Sequence, residues 1–400
     1  MNRLLSDPGS HDYLSLDVVI DHTEDGYVVR IVDAATGDVT APFHPPLTPT
    51  DLSAFHRLLT TGEPLPDSAE ALQVTLQHWG ERLCKALFPG ALASTLQRSQ
   101  RLAFQERLRL RIRLEIVHTP ELVMLPWEYL FDPVRKEFLA LSFQSPFVRY
   151  TNLMHQIVPF KVEPPLRMLV VIANPGGYAP FDREQAWFTI LDSLDYLALE
   201  EKLIVERLTK PTLFDLQRRL REKEFHLLHF IGHGSTDPFT GEGSLIFEDE
   251  MGRGRPVNGE HFGALVRDHF SLRLVALTAG EPVRTATANP YLKIAPHLLR
   301  RGIPAVIATH SQMDAAATAA FVQQFYALVA NFAPVDLAMN EARRTLFEAA
   351  HATAWGLPAL FMRTANGQLF TPRQVERPNL ESMPGIVQRG RRLWPRFGRR

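Results

Sequence analysis

The residue best placed for chemistry in this sequence is a histidine that ends a run of apolar residues. His233 lies between Gly232 and Gly234 in the stretch "FHLLHFIGHG". Glycines at the end of a strand let the backbone turn sharply, because glycine adopts positive φ at little cost. We therefore expect the imidazole of His233 to stand exposed at a sheet edge, where it could act as a general base or polarise a substrate carbonyl.

A histidine catalyst of this kind needs a nucleophile at a neighbouring strand end. The stretch "LRLVALTAGEP" is a second apolar run, and it ends in Thr278, Ala279, Gly280 and Glu281. Glycine has no side chain that could attack a substrate. The sequence thus combines a candidate base with a second strand end whose central residue, Gly280, has no reactive side chain.

Four other side chains could replace the missing nucleophile. Thr278 would require its own activation, and Ser235 and Ser311 are predicted to lie in loops without a clear base. Cys84 falls in a predicted helix, where a small buried apolar role is typical of a free cysteine. None of the four forms an evident pair with a base.

Metal and nucleotide sites find no support in the sequence. His226, His229 and His233 are scattered along one predicted strand and its following loop, and no Cys or His cluster has the spacing of a zinc site. The alternation predicts that His229 is a core residue inside the strand. The glycines in 175–178 and 252–256 are typical of turns and not of phosphate-binding loops. We expect neither a metal nor a cofactor.

These residues lie in a segment where predicted strands and helices alternate. From residue 168 onward, short apolar runs such as "MLVVIANP" are followed by amphipathic stretches such as "PTLFDLQRRLREK". Continuous apolar runs are typical of strands covered on both faces, and the alternation predicts an α/β fold with a mostly parallel sheet. Ligands of such sheets bind beyond the carboxyl ends of the strands, and both "HFIGHG" and "LTAG" fall there.

The predicted domain organisation has four parts. Residues 1–157 form a smaller α+β domain, in which the alternating arginines of 106–117 predict a strand with one solvated face. Residues 158–167, "VPFKVEPPLR", form a Pro-rich linker. Residues 168–370 form the α/β domain, and residues 371–400 are poor in apolar side chains and are expected to be largely disordered.

Composition excludes several function classes. The formal net charge is −1 over 400 residues, so nothing global attracts nucleic acid or a membrane. No window approaches the roughly 18 continuous apolar residues of a membrane span. The first residues lack an apolar signal core, and the single cysteine permits no internal disulfide. We therefore expect a cytoplasmic protein without a transmembrane segment.

The last residues carry a local positive charge. Segment Arg389–Arg400 is rich in arginine, with Trp394 and Phe397 interleaved. Such a segment is typical of a solvated terminus, or it contacts an acidic partner, nucleic acid or a membrane surface.

Several stretches together resemble the CHAT domain, a caspase-like module related to caspases, separases and gingipains. The resemblance rests on "LRMLVVIANP", "LLHFIGHG", "GSLIFED", "LRLVALTAGEP", "LLRRGIPAVIATHSQMD", "PVDLAMNEARRTL" and "WGLPALFMR", and it extends upstream to "LVMLPWEYLFDP". It covers roughly residues 100–370. It implies a caspase-like three-layer sandwich with a mostly parallel sheet, preceded by a smaller α+β domain.

The resemblance also assigns roles to the two strand ends. The family's histidine falls on His233 and its cysteine position on Gly280, which follows by 47 residues (280 minus 233). In members that keep the pair, the thiolate attacks a peptide bond while the histidine handles protons and backbone amides hold the oxyanion. The residues that would surround that oxyanion are Gly232, Gly234, Ala279 and Glu281.

One acidic residue is a candidate for substrate binding. Asp249, in "IFED", could form an acidic wall of the peptide cleft, although a structural aspartate in a turn explains it as well.

Three departures from the family pattern stand in one loop. Besides Gly280, Thr278 replaces the usual Asn and Pro282 the usual Ser. This favours a catalytically degenerate CHAT protein, a pseudoprotease that binds a protein or peptide partner as a scaffold or regulator in a bacterial signalling or defence system. Two alternatives stay open: an active peptidase with a non-standard nucleophile such as Thr278, and a chain altered at position 280 from an active cysteine peptidase.

Overall fold

The computed structural model describes residues 13–32, 38–61, 69–153, 157–280, 289–349 and 353–373. Within these ranges, every helix is too short or too polar to span a bilayer. Segment Arg389–Arg400 and the predicted contact it carries lie outside the described residues.

The strands and helices alternate through most of the chain. The strands are β1 (Tyr13–Thr23), β2 (Gly26–Val32), β3 (Val39–Phe43), β4 (Arg109–Glu115), β5 (Phe131–Asp132), β6 (Glu137–Phe138), β7 (Phe147–Tyr150), β8 (Phe160–Val162), β9 (Leu166–Ile172), β10 (Leu203–Arg207), β11 (Leu227–Thr236), β12 (Gly243–Glu248), β13 (Gly254–Asn258), β14 (Leu274–Ala279), β15 (Ala305–Thr309), β16 (Pro358–Met362) and β17 (Phe370–Pro372). The helices are α1 (Pro49–Thr61), α2 (Ala69–Leu87), α3 (Ala91–Gln105), α4 (Arg183–Leu199), α5 (Leu213–Glu222), α6 (Gly259–Val266), α7 (Pro290–Arg300), α8 (Ala315–Ala330) and α9 (Val335–Glu348).

One large sheet forms the centre of the molecule. Its strands follow the order β10-β9-β11-β14-β15-β16-β7-β4-β1-β2-β3, and β12 and β13 extend from the far end of β11. In the sheet order, the neighbouring strands β10, β9, β11, β14 and β15 pair in parallel. Strand β16 runs antiparallel to β15. The predicted α/β fold with a mostly parallel sheet is confirmed.

Helices cover both faces of the parallel part. The connection from β9 through α4 leads to β10, toward one edge of the sheet. The connections from β11 through α6 to β14 and from β14 through α7 to β15 lead toward the opposite edge. Because parallel crossovers are right-handed, opposite directions of travel place these helices on opposite faces. The strands between them are buried throughout, as the continuous apolar runs predicted: every residue of β15 is buried.

The residues before and after 158–167 share this sheet. Strand β7 pairs in parallel with β4 and with β16, so the sheet runs on from the later strands into the earlier ones. Within 158–167, β8 pairs with β17 in a separate two-stranded sheet. The predicted division into domains stays a prediction.

The predicted solvated face of the arginine-rich strand is wrong at Arg111. Its side chain is buried, its Nε lies 2.6 Å from Oδ2 of Asp336 on α9, and it also donates to the carbonyls of Ala365 and Asn366 at 3.0 Å. A guanidinium has five donors, so several fixed acceptors can compensate its loss of water. Arg111 therefore joins β4 to the last third of the chain.

Candidate functional site at the carboxyl ends of β11 and β14

The carboxyl end of β14 lies beside Gly232 of β11, so the two predicted strand ends are neighbours, as the sequence predicted. Gly232 is opposite Ala279 in the parallel register, and the amide of Gly280 donates to the carbonyl of Gly232 at 2.8 Å. His233 and Gly280 are therefore the next residues along two hydrogen-bonded neighbouring strands. Sequence separation alone could not establish this adjacency, which arises because parallel strands end at the same edge.

The imidazole of His233 is buried, which corrects the expectation that it is exposed. Only 1% of the residue is accessible, and its ring lies between the rings of Tyr178 and Phe181, with centroid distances of 5.2 and 5.5 Å. Its Nε2 is 3.3 Å from Oδ1 of Asn174. The strand does not turn away after Gly232: β11 continues to Thr236 and pairs with β12, so His233 stays inside a sheet.

The glycines beside His233 serve close packing and not a sharp turn. Neither is among the described residues with positive φ. A Cβ on Gly232 would stand 2.8 Å from the carbonyl oxygen of Ala173, and one on Gly234 would stand 2.3 Å from Cγ of Pro290. Real Cβ atoms do not approach so closely, so Gly232 allows the backbone after β9 to lie against β11, and Gly234 allows the first turn of α7 to do the same.

The space in which a side chain at position 280 would begin is filled by an aromatic ring. A Cβ built on Gly280 would lie 2.5 Å from Cε1 of Phe181 and 2.8 Å from Cδ1 and Cζ. The same ring packs on His233. Phe181 thus stands between the candidate base and the place where a nucleophile would be attached.

The loop that carries Phe181 is held by several polar contacts. Asn174 donates through Nδ2 to the carbonyl of Phe181 at 2.6 Å, and its backbone amide donates to Oε1 of Glu248 at 3.0 Å. Arg183, which follows the loop, forms an ion pair with the same Glu248. Asp182 caps α4 by accepting from the amides of residues 184 and 185. These contacts hold the backbone of the loop from which the ring of Phe181 extends.

Sequence reasoning missed both Asn174 and Phe181. Asn174 lies in the "ANPGG" turn after β9, and a polar residue at the carboxyl end of a central parallel strand is the pattern that could have identified it. Phe181 had no such pattern, because an aromatic residue in a loop is found in many roles.

A cavity of about 150 Å3 remains open beside Gly280. Phe181, Ile231 and Met313 supply apolar surface, and Nε2 of Gln312 donates to the carbonyl of Gly280 at 3.0 Å. The other lining residues are mostly small or polar, and include Asp182, Gln185, Thr189, Thr278, Thr309, Asp314 and Thr318. The strand ends thus present a concave surface that could receive one side chain of a partner.

Thr278 lines this cavity and belongs to a chain of buried polar groups. Its Oγ1 donates to the carbonyl of Phe230 at 3.1 Å and lies 3.1 Å from Nε2 of His229. On the other side of the ring, Nδ1 of His229 is 3.1 Å from the hydroxyl of Tyr326. Burial lowers the pKa of His229 to about 4, so the imidazole is neutral. The prediction that His229 is a core residue agrees with its 1% exposure.

Asp249 uses its carboxylate to build a turn. Oδ1 accepts from the amides of Met251 and Arg253 at 2.8 Å, and Oδ2 accepts from Nε of Arg253 at 2.8 Å. Hydrogen bonds from Arg253 lower the pKa of this carboxyl. The turn touches the loop of the candidate site, because the amide of Gly176 donates to the carbonyl of Gly252 at 2.9 Å.

The remaining candidates do not enter this site. Ser235 lies within β11 and not in a loop, whereas Ser311 does lie in a loop, the one between β15 and α8, where it is buried. Cys84 is buried in α2, where burial raises the pKa of its thiol to about 12. Glu281 lies outside the described residues. In the part of the chain that the structure describes, no group of three or more His, Cys, Asp or Glu side chains is arranged to hold a metal.

Comparison with known proteins identifies one family. The model of the CHAT domain matches residues 77–371, and no curated protein matches the chain. The separase in a separase–securin complex of Saccharomyces cerevisiae is 9% identical, with a TM-score of 0.47, over 87% of this chain and 30% of its own. The cysteine proteinase gingipain R is 12% identical, with a TM-score of 0.37, over 80% of this chain and 74% of its own.

Proposed function

The chain belongs to the CHAT domain family, and from that premise we propose that it is a pseudoprotease, which binds a protein or peptide partner without cutting it. In this proposal His233 and Gly280 occupy the positions of the family's histidine and cysteine. In the proposal, the backbone at Gly232, Gly234 and Ala279 corresponds to that of the family's loops. The first chemical step lacks a nucleophile, because Gly280 has no side chain.

The observation that carries the proposal is the ring of Phe181. It fills the volume that the Cβ of a nucleophile at position 280 would require. A thiol introduced there would have to displace an aromatic ring that packs on His233 and whose backbone is hydrogen-bonded to Asn174. A side chain at position 280 would therefore require the ring of Phe181 to move.

The same observation weighs against a chain altered from an active peptidase at one position. Removing a cysteine side chain from a site shaped for it would leave a cavity in its place. At Gly280 the corresponding space is occupied by a ring from another loop.

The contact between Thr278 and His229 is the observation that favours an active enzyme. It places a hydroxyl 3.1 Å from an imidazole nitrogen at the edge of a cavity. However, the hydroxyl proton is directed to the carbonyl of Phe230, and a base whose pKa is about 4 accepts a proton poorly at neutral pH. Thr278 is better explained as a structural partner of His229.

Peptide hydrolysis separates these functions. The native chain, a Thr278→Val variant and a His233→Ala variant are incubated with a peptide library, and new amino termini are measured. We expect no cleavage by any of them. Hydrolysis by the native chain that is lost in either variant would overturn the proposal and would also identify which residue acts.

Binding is tested at the cavity beside Gly280. Peptides selected on the native chain from a random display library should lose affinity in Gln185→Trp, because Gln185 lines the cavity and a tryptophan would fill it. The matched control is Asp195→Trp, on an exposed position of the same helix outside the cavity. Equal affinity of both variants for every selected peptide, or the absence of any selected peptide, contradicts binding at this site.

We further propose that the protein is a scaffold or regulator in a bacterial signalling or defence system. Support comes from the family, whose modules occur beside sensor or repeat domains. Finding the native partner by crosslinking through a photoreactive residue at Gln185, with the same residue at Asp195 as the control, tests this role.

A further inference from the structure

A second concave surface lies away from the strand ends discussed above. It is a crevice of about 320 Å3, formed where residues 116–123 and 149–151 meet α7 and the loop between β11 and β12. Small-molecule sites are usually about 300–1,000 Å3, mostly apolar, with a few converging polar groups. The size of this crevice suits a ligand and exceeds what a single side chain needs.

The walls of the crevice are largely apolar. Ile116, Val123 and Phe361 are buried core residues that also face the opening, and Pro296 adds apolar surface from α7. Such a surface favours a ligand with an apolar part. Burial of that part stabilises binding by about 25 cal/mol for each Å2 of apolar area removed from water.

One face of α7 supplies the charged side of the crevice. Lys293, Pro296, His297 and Arg300 all line it. Their spacing of three, four and seven residues places them along a single helix face. The helix therefore presents two basic side chains, Lys293 and Arg300, over an apolar floor.

Neither of these cations has a carboxylate partner in the described part of the chain. The ammonium of Lys293 donates to the neutral carbonyl of Gly241 at 2.7 Å, and burial lowers the pKa of Lys293. Arg300 is exposed at the rim. An ammonium held by one carbonyl keeps two N–H donors for another acceptor.

The remaining charged groups of the crevice already have partners. Arg149 is buried against Glu128, with hydrogen bonds of 2.8 and 2.6 Å. Oε1 of Glu121 lies 3.0 Å from Nε2 of His22, and Oε2 of Glu242 accepts from Asn258 at 3.3 Å. His297 is 3.8 Å from Glu260, and burial lowers its pKa. Lys293 and Arg300 are thus the cations available to an anionic group, while the carboxylates of Glu121 and Glu242 lie elsewhere on the lining.

We propose that this crevice binds a small amphipathic organic anion, whose apolar body lies on Val123 and Phe361 while its carboxylate or other acidic group contacts Lys293 and Arg300. The proposal is independent of whether the strand-end site is catalytic.

An occupant would touch the helix that also supports the candidate site. The first turn of α7 holds the end of β11, since the hydroxyl of Tyr291 donates to the carbonyl of Gly232 at 2.7 Å. Lys293 connects the same helix to the loop after β11 through Gly241. The crevice and the strand ends therefore share one rigid element.

The test uses the full chain and anilinonaphthalene sulfonate, an aromatic anion that fluoresces when it leaves water. We expect saturable binding that decanoate displaces. Lys293→Met, which keeps the length of the side chain without its charge, should weaken binding about tenfold, the effect of losing one charge-assisted contact. Lys293→Arg should bind within about threefold of the native chain, because it keeps the charge.

Two further variants, Arg300→Glu and Lys161→Met, test the second cation of the crevice and provide a control. Arg300→Glu changes an exposed rim residue, so it should fold normally and weaken the dye at least several-fold. Lys161→Met removes an exposed lysine of β8 outside the crevice and should change nothing. The proposal is overturned if the folded native chain does not bind the dye, or if Lys293→Met and Arg300→Glu bind it as tightly as Lys161→Met does.

Discussion

The chemistry of the candidate site depends on two residues that do not react, Gly280 and Phe181. Under the proposed function, the replacement of a nucleophile by glycine at one position would by itself be reversible. Here the ring of Phe181 occupies the adjoining volume and also packs on His233. The two residues therefore have to be considered as a pair.

Restoring a thiol should require changes at both positions. In Gly280→Cys, the new Cβ meets ring atoms at 2.5–2.8 Å, and overpacking of this kind costs about 1–3 kcal/mol. Adding Phe181→Ala removes the clash and opens a path to the sulfur. We expect the double variant to react with a fluorescent iodoacetamide about tenfold faster than Gly280→Cys alone, since a ring displacement that costs about 1.4 kcal/mol makes the accessible arrangement about tenfold rarer.

The native chain provides a low background for this measurement. Its one cysteine, Cys84, is buried, and burial raises the pKa of its thiol to about 12, so little thiolate is present at neutral pH. Phe188→Ala is a matched control, because Phe188 is an exposed phenylalanine on α4. Equal labelling rates for Gly280→Cys with and without Phe181→Ala would show that the ring does not restrict position 280.

At the scale of elements, the close approach of α7 to β11 depends on a residue without a side chain. A Cβ at position 234 would stand 2.3 Å from Cγ of Pro290 and 3.2 Å from the ring of Tyr291. The proline ring cannot move without the helix. The packing of one helix against one strand therefore determines which residue type is tolerated there.

Gly234→Ala should consequently lower the free energy of unfolding by about 1–3 kcal/mol, as expected for an overpacked contact between rigid elements. Gly176→Ala is the control, because a Cβ there meets nothing nearer than 3.6 Å. The two variants are compared by urea denaturation. Similar midpoints for both would mean that α7 adjusts without cost, and the account of the packing would be wrong.

At the scale of the whole molecule, a buried ionic cluster joins the early and late parts of the chain. Glu128 accepts from Arg149 at 2.8 and 2.6 Å and lies 2.9 Å from Nε2 of His310, which follows β15. Arg343 of α9 is 4.0 Å away. Burial alone would raise the pKa of Glu128, but these cationic and hydrogen-bonding neighbours hold it well below its usual range.

Glu128→Gln should therefore destabilise the fold strongly. It removes the one carboxylate of the cluster and leaves Arg149 and Arg343 buried, a change that typically costs about 3–5 kcal/mol. Glu137→Gln is the control, because Glu137 pairs with Arg135 at a partly exposed position, where a pair contributes about 0–1 kcal/mol. Denaturant midpoints that fall equally in both variants would contradict the structural role of the cluster.

Acid should also weaken the fold through buried histidines. Burial lowers the pKa of both His226 and His229 to about 4, below the value of about 6.5 for an unfolded chain. Between these values the unfolded chain binds more protons than the folded one. The free energy of unfolding should therefore fall as the pH drops from about 6.5 to about 4.

Replacing one of these histidines measures how much it contributes to the pH dependence of the free energy of unfolding. His229→Gln should flatten the decline between pH 6.5 and 4, whereas His78→Gln, at an exposed position of α2, should leave the slope unchanged. Stability profiles measured by urea denaturation at several pH values provide the comparison. An unchanged slope in His229→Gln would mean that this imidazole is protonated in the folded state.

The sequence alone predicted the regular parts of the molecule well. Continuous apolar runs such as "MLVVIA" and alternating helical patterns determine local structure through side-chain periodicity, so the α/β class and the parallel sheet followed from them. The adjacency of the two strand ends followed from the same pattern and the family resemblance. Burial of Cys84 and of His229 also followed from their positions in predicted elements.

The tertiary structure decided what those strand ends can do. The sequence predicted an exposed His233, but residues distant in the chain, Tyr178 and Phe181, cover it. It predicted a solvated arginine face on β4, but Asp336 meets Arg111 there. Periodicity describes each segment against an average environment. Which ring fills a vacant space, or which carboxylate meets a buried cation, depends on contacts between segments far apart in sequence.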